Sequence, residues 1–347
     1  MVIDLRSDIL GRPTQEMIEA MREAASSRFT YGFREDPITM RLEQMAARLL
    51  GKEDALFFPT ATMGNQTAIH IFCSPGQELI AESESHVFTL EGGGSAALSG
   101  VMSKPIRGEM GIMDLRKMEE AISSGSEQRS RTGLIWVENT HNRAGGTVVS
   151  VDQMKAIYEV AKRYGIPVHL DGARIFNAAV YLEVPVSKLT QYADSVTISL
   201  NKGLSAPLGA ILAGSKKFIQ EAGRVRLVFG GGWRPTGILA APGIVALEKM
   251  VDRLAEDHKN ARRLAEGITK CRGVSLDLRA VQTNIINVKI NHAILSLNEI
   301  IERLKKNDIF VNPTGLNQLR LVLHWEIGEN EVDQVIGAFR RILEDEK

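Results

Sequence analysis

The string His169-Leu170-Asp171-Gly172-Ala173-Arg174, followed by Lys202 in Ser199-Leu200-Asn201-Lys202-Gly203, decides how this chain is read. Each polar cluster ends a short apolar run of strand character, Ile166-Pro167-Val168 and Val196-Thr197-Ile198. Ligands of open parallel sheets sit beyond the carboxyl ends of the strands. Asp171 and Lys202 both fall at such ends. A carboxylate and an amine so placed suit a cofactor with a basic ring nitrogen and an aldehyde. Pyridoxal phosphate is that cofactor: the carboxylate keeps the ring nitrogen protonated and the lysine closes a Schiff base. Taken singly, Asp171 is as readily a turn cap and Lys202 a surface lysine; the ordered pair is what points to the cofactor.

Working outward, helical patterns alternate with short apolar strands from about residue 36 to 250. Asp36-Pro37 reads as an N-cap followed by proline at the first helical position, and Gly51 closes that helix. Strands are expected at Ala55–Phe58, Leu79–Ala81, Leu134–Val137, Val168–Leu170, Val196–Ile198 and Gly209–Leu212, with helices near 63–72, 114–123, 151–164 and 215–227. That alternation predicts an α/β fold with a mainly parallel sheet covered by helices. A long helical pattern over 237–270 is expected to break near Pro242-Gly243. Strands at 273–278, 284–290 and 318–323 and helices at 296–306 and 329–345 then predict a small α+β domain. The expected boundary gives a large domain over 1–250, whose N-terminal segment contributes to the site, and a C-terminal domain over 251–347.

Composition narrows the partners. Forty-two basic residues balance 42 acidic ones, so no long-range field favours nucleic acid or an anionic membrane. No apolar run approaches the roughly 20 residues needed to span a bilayer. Two distant cysteines, Cys73 and Cys271, form neither a disulfide framework nor a metal site, and the histidines lack metal-ligand spacing. A cytoplasmic protein with a small-molecule substrate and no metal is the expectation.

Further candidates stand at other strand ends. Pro59-Thr60-Ala61-Thr62-Met63-Gly64-Asn65 offers backbone N–H groups and hydroxyls to a phosphate at a helix start, or is a plain N-cap. His86 could stack on a flat ring and move protons. Glu138-Asn139-Thr140-His141-Asn142-Arg143, with Gly145-Gly146 behind it, is too polar for an ordinary loop. Arg174 follows Asp171 within reach of the same site. Arg234 lies in the glycine-rich Gly230-Gly231-Gly232-Trp233-Arg234-Pro235. Arg320 sits within the apolar strand Leu319–Leu323, where a guanidinium could take a carboxylate or simply face water.

These motifs together resemble the low-specificity L-threonine aldolases, in the β-eliminating-lyase branch of the fold-type I pyridoxal-phosphate enzymes. Leu5-Arg6-Ser7-Asp8, Glu35-Asp36-Pro37, Thr62-Met63-Gly64-Asn65-Gln66, the Glu138–Asn142 and His169–Arg174 strings, Lys202-Gly203-Leu204 and Met250-Val251-Asp252-Arg253-Leu254 carry the likeness from about residue 3 to the last helix. The resemblance implies a transferase-like large domain and retro-aldol cleavage of threonine, allo-threonine and related β-hydroxy-α-amino acids to glycine and an aldehyde. It implies roles in threonine catabolism and glycine biosynthesis. It implies that Lys202 holds the cofactor, Asp171 pairs with the ring nitrogen and His86 stacks on the ring. Ala61 and Thr62 would bind phosphate, with Arg234 arriving from a neighbouring subunit of a homodimer or tetramer. Ser7, Arg174 and Arg320 would hold the substrate carboxylate. The base is His86, His141 or a water between them. Two rivals are a β-eliminating lyase of the same fold and a non-catalytic scaffold. Ala61 stands where the pattern has glycine, which would bar any glycine-only conformation, and Leu90 stands where an aromatic lies over the substrate.

Overall fold

The computed structural model describes residues 2–28, 30–32 and 34–344; the last expected helical residue, 345, lies outside them. In chain order the strands that shape the site are β1 (Ile3–Asp4), β2 (Asp54–Phe58), β3 (Glu78–Glu82), β4 (Met102–Ile106), β5 (Thr132–Glu138), β6 (Val168–Gly172), β7 (Ser195–Ser199) and β8 (Ala210–Gly214). Those of the C-terminal part are β9 (Val274–Ser275), β10 (Ile285–Ile290), β11 (Ile309–Phe310), β12 (Asn312–Gly315) and β13 (Gln318–Val322).

The central sheet runs β2-β8-β7-β6-β5-β3-β4. All its neighbours are parallel except β8, which is antiparallel to both β2 and β7. Strands β5 to β8 are buried along their whole length, which explains their continuous apolar runs: helices cover both faces, so neither side can be polar. Each fully buried Leu, Ile or Val contributes roughly 1.5–3 kcal/mol, and Ile135, Leu170, Val196 and Ile198 are all sealed in one core. Register aligns Glu138 with Asp171 and Asp171 with Thr197, so the polar ends of three strands meet at one edge.

The helix opened by Asp36 spans Pro37–Leu49, with the Asp36 carboxylate accepting from Thr39 N–H. Gly51 behind it has φ +61°. Strand β4 carries Lys104 and Pro105 on an exposed edge and had no clear sequence pattern. The expected break near Pro242-Gly243 is displaced. The helix Gly237–Val245 contains Pro242, and the irregularity is a π-helical stretch at Ala246–Met250 before Leu254–Ile268. Gly243 serves close packing instead: a methyl there would come within 3.0 Å of Leu42 and Leu200 side-chain carbons.

The C-terminal sheet, β9-β10-β13-β12, is antiparallel. It packs on helices Leu254–Ile268, Leu297–Lys305 and Glu329–Glu344 around a second core. Strand β1 joins this part, pairing in parallel with β11, and the Leu5 carbonyl accepts from Val322 N–H at 2.8 Å. Ile3 and Leu5 lie in the second core. The chain's first residues therefore belong to the C-terminal layer and hold it over the edge where β5, β6 and β7 end.

Candidate active site

Lys202 follows β7 on a tight turn closed by Ser205 N–H to the Lys202 carbonyl, 2.8 Å. Its amine has no hydrogen-bond or ion-pair partner among the described residues. Burial, and then the nearby Arg174 guanidinium, push the lysine below its usual range. An amine so placed is readily unprotonated and nucleophilic. It lines a cavity of ≈ 220 Å³ with Asp171, His86, Thr62 and Arg174.

Asp171 closes β6 and is buried. One carboxylate oxygen accepts from Asn65 Nδ2 at 3.0 Å and the other from Ala173 N–H at 3.1 Å, so its orientation is held while lone pairs remain for a cationic ring nitrogen. Asn65 is fixed in turn: its carbonyl lies 3.3 Å from His169 Nε2, and His169 Nδ1 lies 2.7 Å from Ser195 Oγ. Burial holds His169 at about 3, hence neutral.

The phosphate end is the start of helix Ala61–Phe72. Thr60 caps it in extended conformation, its hydroxyl accepting from Met63 N–H at 3.1 Å and its carbonyl from Gly64 N–H at 3.3 Å. The Ala61 and Thr62 N–H groups are left for an anion. Ala61 is simply the first helical residue, so alanine meets no glycine-only requirement there. A free amine, an oriented carboxylate and an open helix start in one cavity fit pyridoxal phosphate.

His86 begins a short helix after β3, its N–H donating to Glu138 Oε2 at 2.6 Å. Its Nδ1 lies 2.9 Å from Glu91 Oε1. A carboxylate only accepts, so Nδ1 carries the proton and Nε2 is left as the basic nitrogen. Burial disfavours the imidazolium, but Glu91 and Asp171 outweigh it and raise His86 above the ordinary histidine range. Glu91 also takes Asn65 Nδ2 at 2.8 Å and Gln66 Nε2 at 2.6 Å. His86, Glu91 and Asp171 each place a possible ligand atom within 4.8 Å of the others, and Glu91 is already taken by Asn65, Gln66 and His86.

His141 sits elsewhere. It lines a larger neighbouring cavity of ≈ 820 Å³, with Leu90, Asn142 and Arg320. Its Nδ1 accepts from Ala144 N–H at 3.2 Å, and its Nε2 lies 3.0 Å from Glu82, off-axis for a hydrogen bond. Burial works against protonation there, but Glu138 and Glu82 raise His141 overall, and Glu82 is held at about 2. Asn142 lines both cavities.

Arg320 projects from β13 toward Asn142, Nη1 to Oδ1 3.2 Å. The same oxygen accepts from Arg174 Nη1 at 3.4 Å. Arg320 pairs with no carboxylate among the described residues, and its buried Nε lacks a partner. Two guanidiniums thus converge on one oxygen, an arrangement able to take a carboxylate. Gly146 lets the 142–146 loop reach the C-terminal layer: φ is +73° and a methyl would lie 2.4 Å from Thr283 Oγ1. Ser7 caps the short helix Asp8–Leu10, its hydroxyl accepting from Ile9 N–H; it lines neither cavity. Arg234 is exposed, donates to the Tyr31 carbonyl at 2.8 Å and lies over the Tyr31 ring, outside the Lys202 cavity.

Sequence reasoning passed over Glu91 and gave Asp8 no role. A carboxylate five residues beyond His86 was the available signal for the first; the second stood in the Leu5-Arg6-Ser7-Asp8 string, which named no partner for it.

Residues 4–291 match the family described as beta-eliminating lyase. The chain is 39% identical over 346 residues to low-specificity L-threonine aldolase 1 of Arabidopsis thaliana, covering 98% of this chain and 96% of that one. It is 37% identical over 346 residues to the low specificity L-threonine aldolase of Escherichia coli strain K12, with 99% of each covered. The threonine aldolase of Leishmania major shares the fold, with a TM-score of 0.85, 19% identity and coverage of 98% and 99%.

Proposed function

This chain belongs to the β-eliminating lyase family, and on that premise we propose that it is a pyridoxal-phosphate-dependent aldolase cleaving L-threonine and L-allo-threonine to glycine and acetaldehyde. The observation that carries the reading is the single cavity in which Lys202, Asp171, His86 and the open start of helix Ala61–Phe72 meet.

Lys202 would hold the cofactor covalently, Asp171 its ring nitrogen, and the Ala61 and Thr62 N–H groups its phosphate. When bound, pyridoxal phosphate supplies an electron sink for the pair released as the Cα–Cβ bond breaks. Arg174 and Arg320 hold the substrate carboxylate, which fixes the Cα end. His86 Nε2 is the base that takes the β-hydroxyl proton, because its Nδ1 proton is committed to Glu91. His141, with both nitrogens facing Ala144 and Glu82, acts by holding the 141–147 turn and the wall of the adjoining cavity. The β-substituent leaves through that cavity, whose opening past the exposed Leu90 imposes little size selection.

The same reading makes the protein a homo-oligomer. Among the described residues lining the Lys202 cavity, Arg174 is the permanent cation, and Asp8 already holds it. The phosphate needs a further cation, and the exposed Arg234 of a second copy supplies it. Threonine breakdown and glycine supply in the cytoplasm are the roles such an enzyme would serve, and the buried, unpaired Cys73 and Cys271 suit a reducing compartment.

The test is an absorbance spectrum of the purified protein with L-threonine or L-allo-threonine, with glycine and acetaldehyde assayed together. A visible cofactor band and both products are expected. Ammonia and a keto acid instead would make the protein a β-eliminating lyase. A Lys202→Ala variant with wild-type turnover would overturn the assignment.

A further inference from the structure

Resting on the reading that an amino-acid substrate enters the Lys202 cavity, we propose that Asp8 is a positioning residue that fixes the Arg174 guanidinium for the substrate carboxylate. Asp8 touches neither cavity and is fully buried. Its carboxylate grips the Nε/Nη2 edge of Arg174 with two hydrogen bonds, Nε to Oδ2 at 2.7 Å and Nη2 to Oδ1 at 2.6 Å. The Nη1/Nη2 end remains, and its Nη1 donates to Asn142 Oδ1, the oxygen on which Arg320 also converges. A third contact, from Asn284 Nδ2 at 3.2 Å, holds Asp8 from the C-terminal layer.

The same short segment sets Arg320. Its Nη2 lies 3.4 Å from the Arg6 carbonyl, two residues before Asp8. Both guanidiniums are therefore spaced by residues 6–8, which β1 anchors to β11. Charge follows the same logic. Arg174 and Arg320 bring two positive charges and Asp8 offsets one, so the guanidinium pair itself keeps one positive charge to meet a carboxylate. Freed of Asp8, Arg174 would gain the rotamers of a long side chain and bind the same anion less well.

The experiment compares glycine with glycinamide, which keeps the amine and lacks the carboxylate. Binding of each to the holoenzyme is followed by the change in cofactor absorbance. Asp8→Asn should weaken glycine about tenfold or more while leaving glycinamide nearly unchanged. For L-threonine the rise in KM should exceed the fall in kcat. In an Arg174→Gln background the Asp8→Asn change should add nothing, since Asp8 acts through Arg174. Equal weakening of both ligands, no weakening of glycine, or a full additional loss on top of Arg174→Gln would each overturn the proposal. If Asp8→Asn does not fold, Asn284→Ala decides: it leaves the ion pair and releases one Asp8 oxygen, and a selective loss of about threefold for glycine is expected. No selectivity in that variant sinks the idea. A wild-type holoenzyme that binds neither ligand overturns the functional reading itself, and this inference with it.

Discussion

His86 shows how much chemistry hangs on one hydrogen bond. Glu91 takes the Nδ1 proton, so the opposite nitrogen is basic and ready for the substrate hydroxyl. His86→Asn would keep a donor toward Glu91 and lose the basic nitrogen. Turnover of L-threonine should fall by about 10²–10⁴, with the cofactor band retained at saturating cofactor. A variant with unchanged kcat would move the base role elsewhere. Of the residues expected at the site, Asp171, Lys202, His86, Thr62 and Arg174 were legible because each stands at a strand end or helix start, where local sequence marks the position. Asp8 was not: its partner Arg174 lies 166 residues away, and a buried aspartate in a short polar string looks like any turn residue.

Between elements, the contact of β6, β7 and helix Ala61–Phe72 is tuned by one neutral histidine. His169 lies between Ser195 and Asn65 and beside the Trp136 ring, centroids 4.5 Å apart. Burial holds it at about 3 against an ordinary 6.5. The unfolded chain therefore binds a proton below pH 6.5 that the folded chain refuses. The stability this group contributes is complete above pH 6.5 and is lost as pH falls toward 3. In urea titrations of wild type and His169→Gln, the stability gap should narrow by about 2 kcal/mol between pH 7 and pH 5. A gap that stays constant would mean His169 titrates in the folded protein. The elements themselves were readable where burial is uniform, as in β5 to β8. Strand β4 was missed because its edge position leaves it polar, and the helix irregularity lies past Pro242, at Ala246–Met250.

At the scale of the whole molecule, the site lies beneath a C-terminal layer that also includes the chain's first strand, and the proposed function brings Arg234 to its phosphate end from a second copy. Lys202→Ala and Arg234→Gln should each be inactive or nearly so. Mixed and re-equilibrated, they should recover up to about a quarter of wild-type activity, because half of the mixed dimers' sites carry neither change. No recovery, with exchange verified by mass, would place Arg234 in service of its own chain.

Local sequence determined the α/β class, the order of strands and helices, and the strand ends that bear Asp171 and Lys202. Hydrophobic periodicity and capping are properties of neighbouring residues, and a mainly parallel sheet follows from their alternation. The pairing of Asp8 with Arg174, the convergence of Arg174 and Arg320 on Asn142, the joining of β1 to β11 and the separation of His141 from the Lys202 cavity came only with the tertiary structure. The first three depend on groups 32 to 306 residues apart meeting, and no short stretch of chain can record which partner is near; for Asp8 and Arg174, buried charges must also find partners.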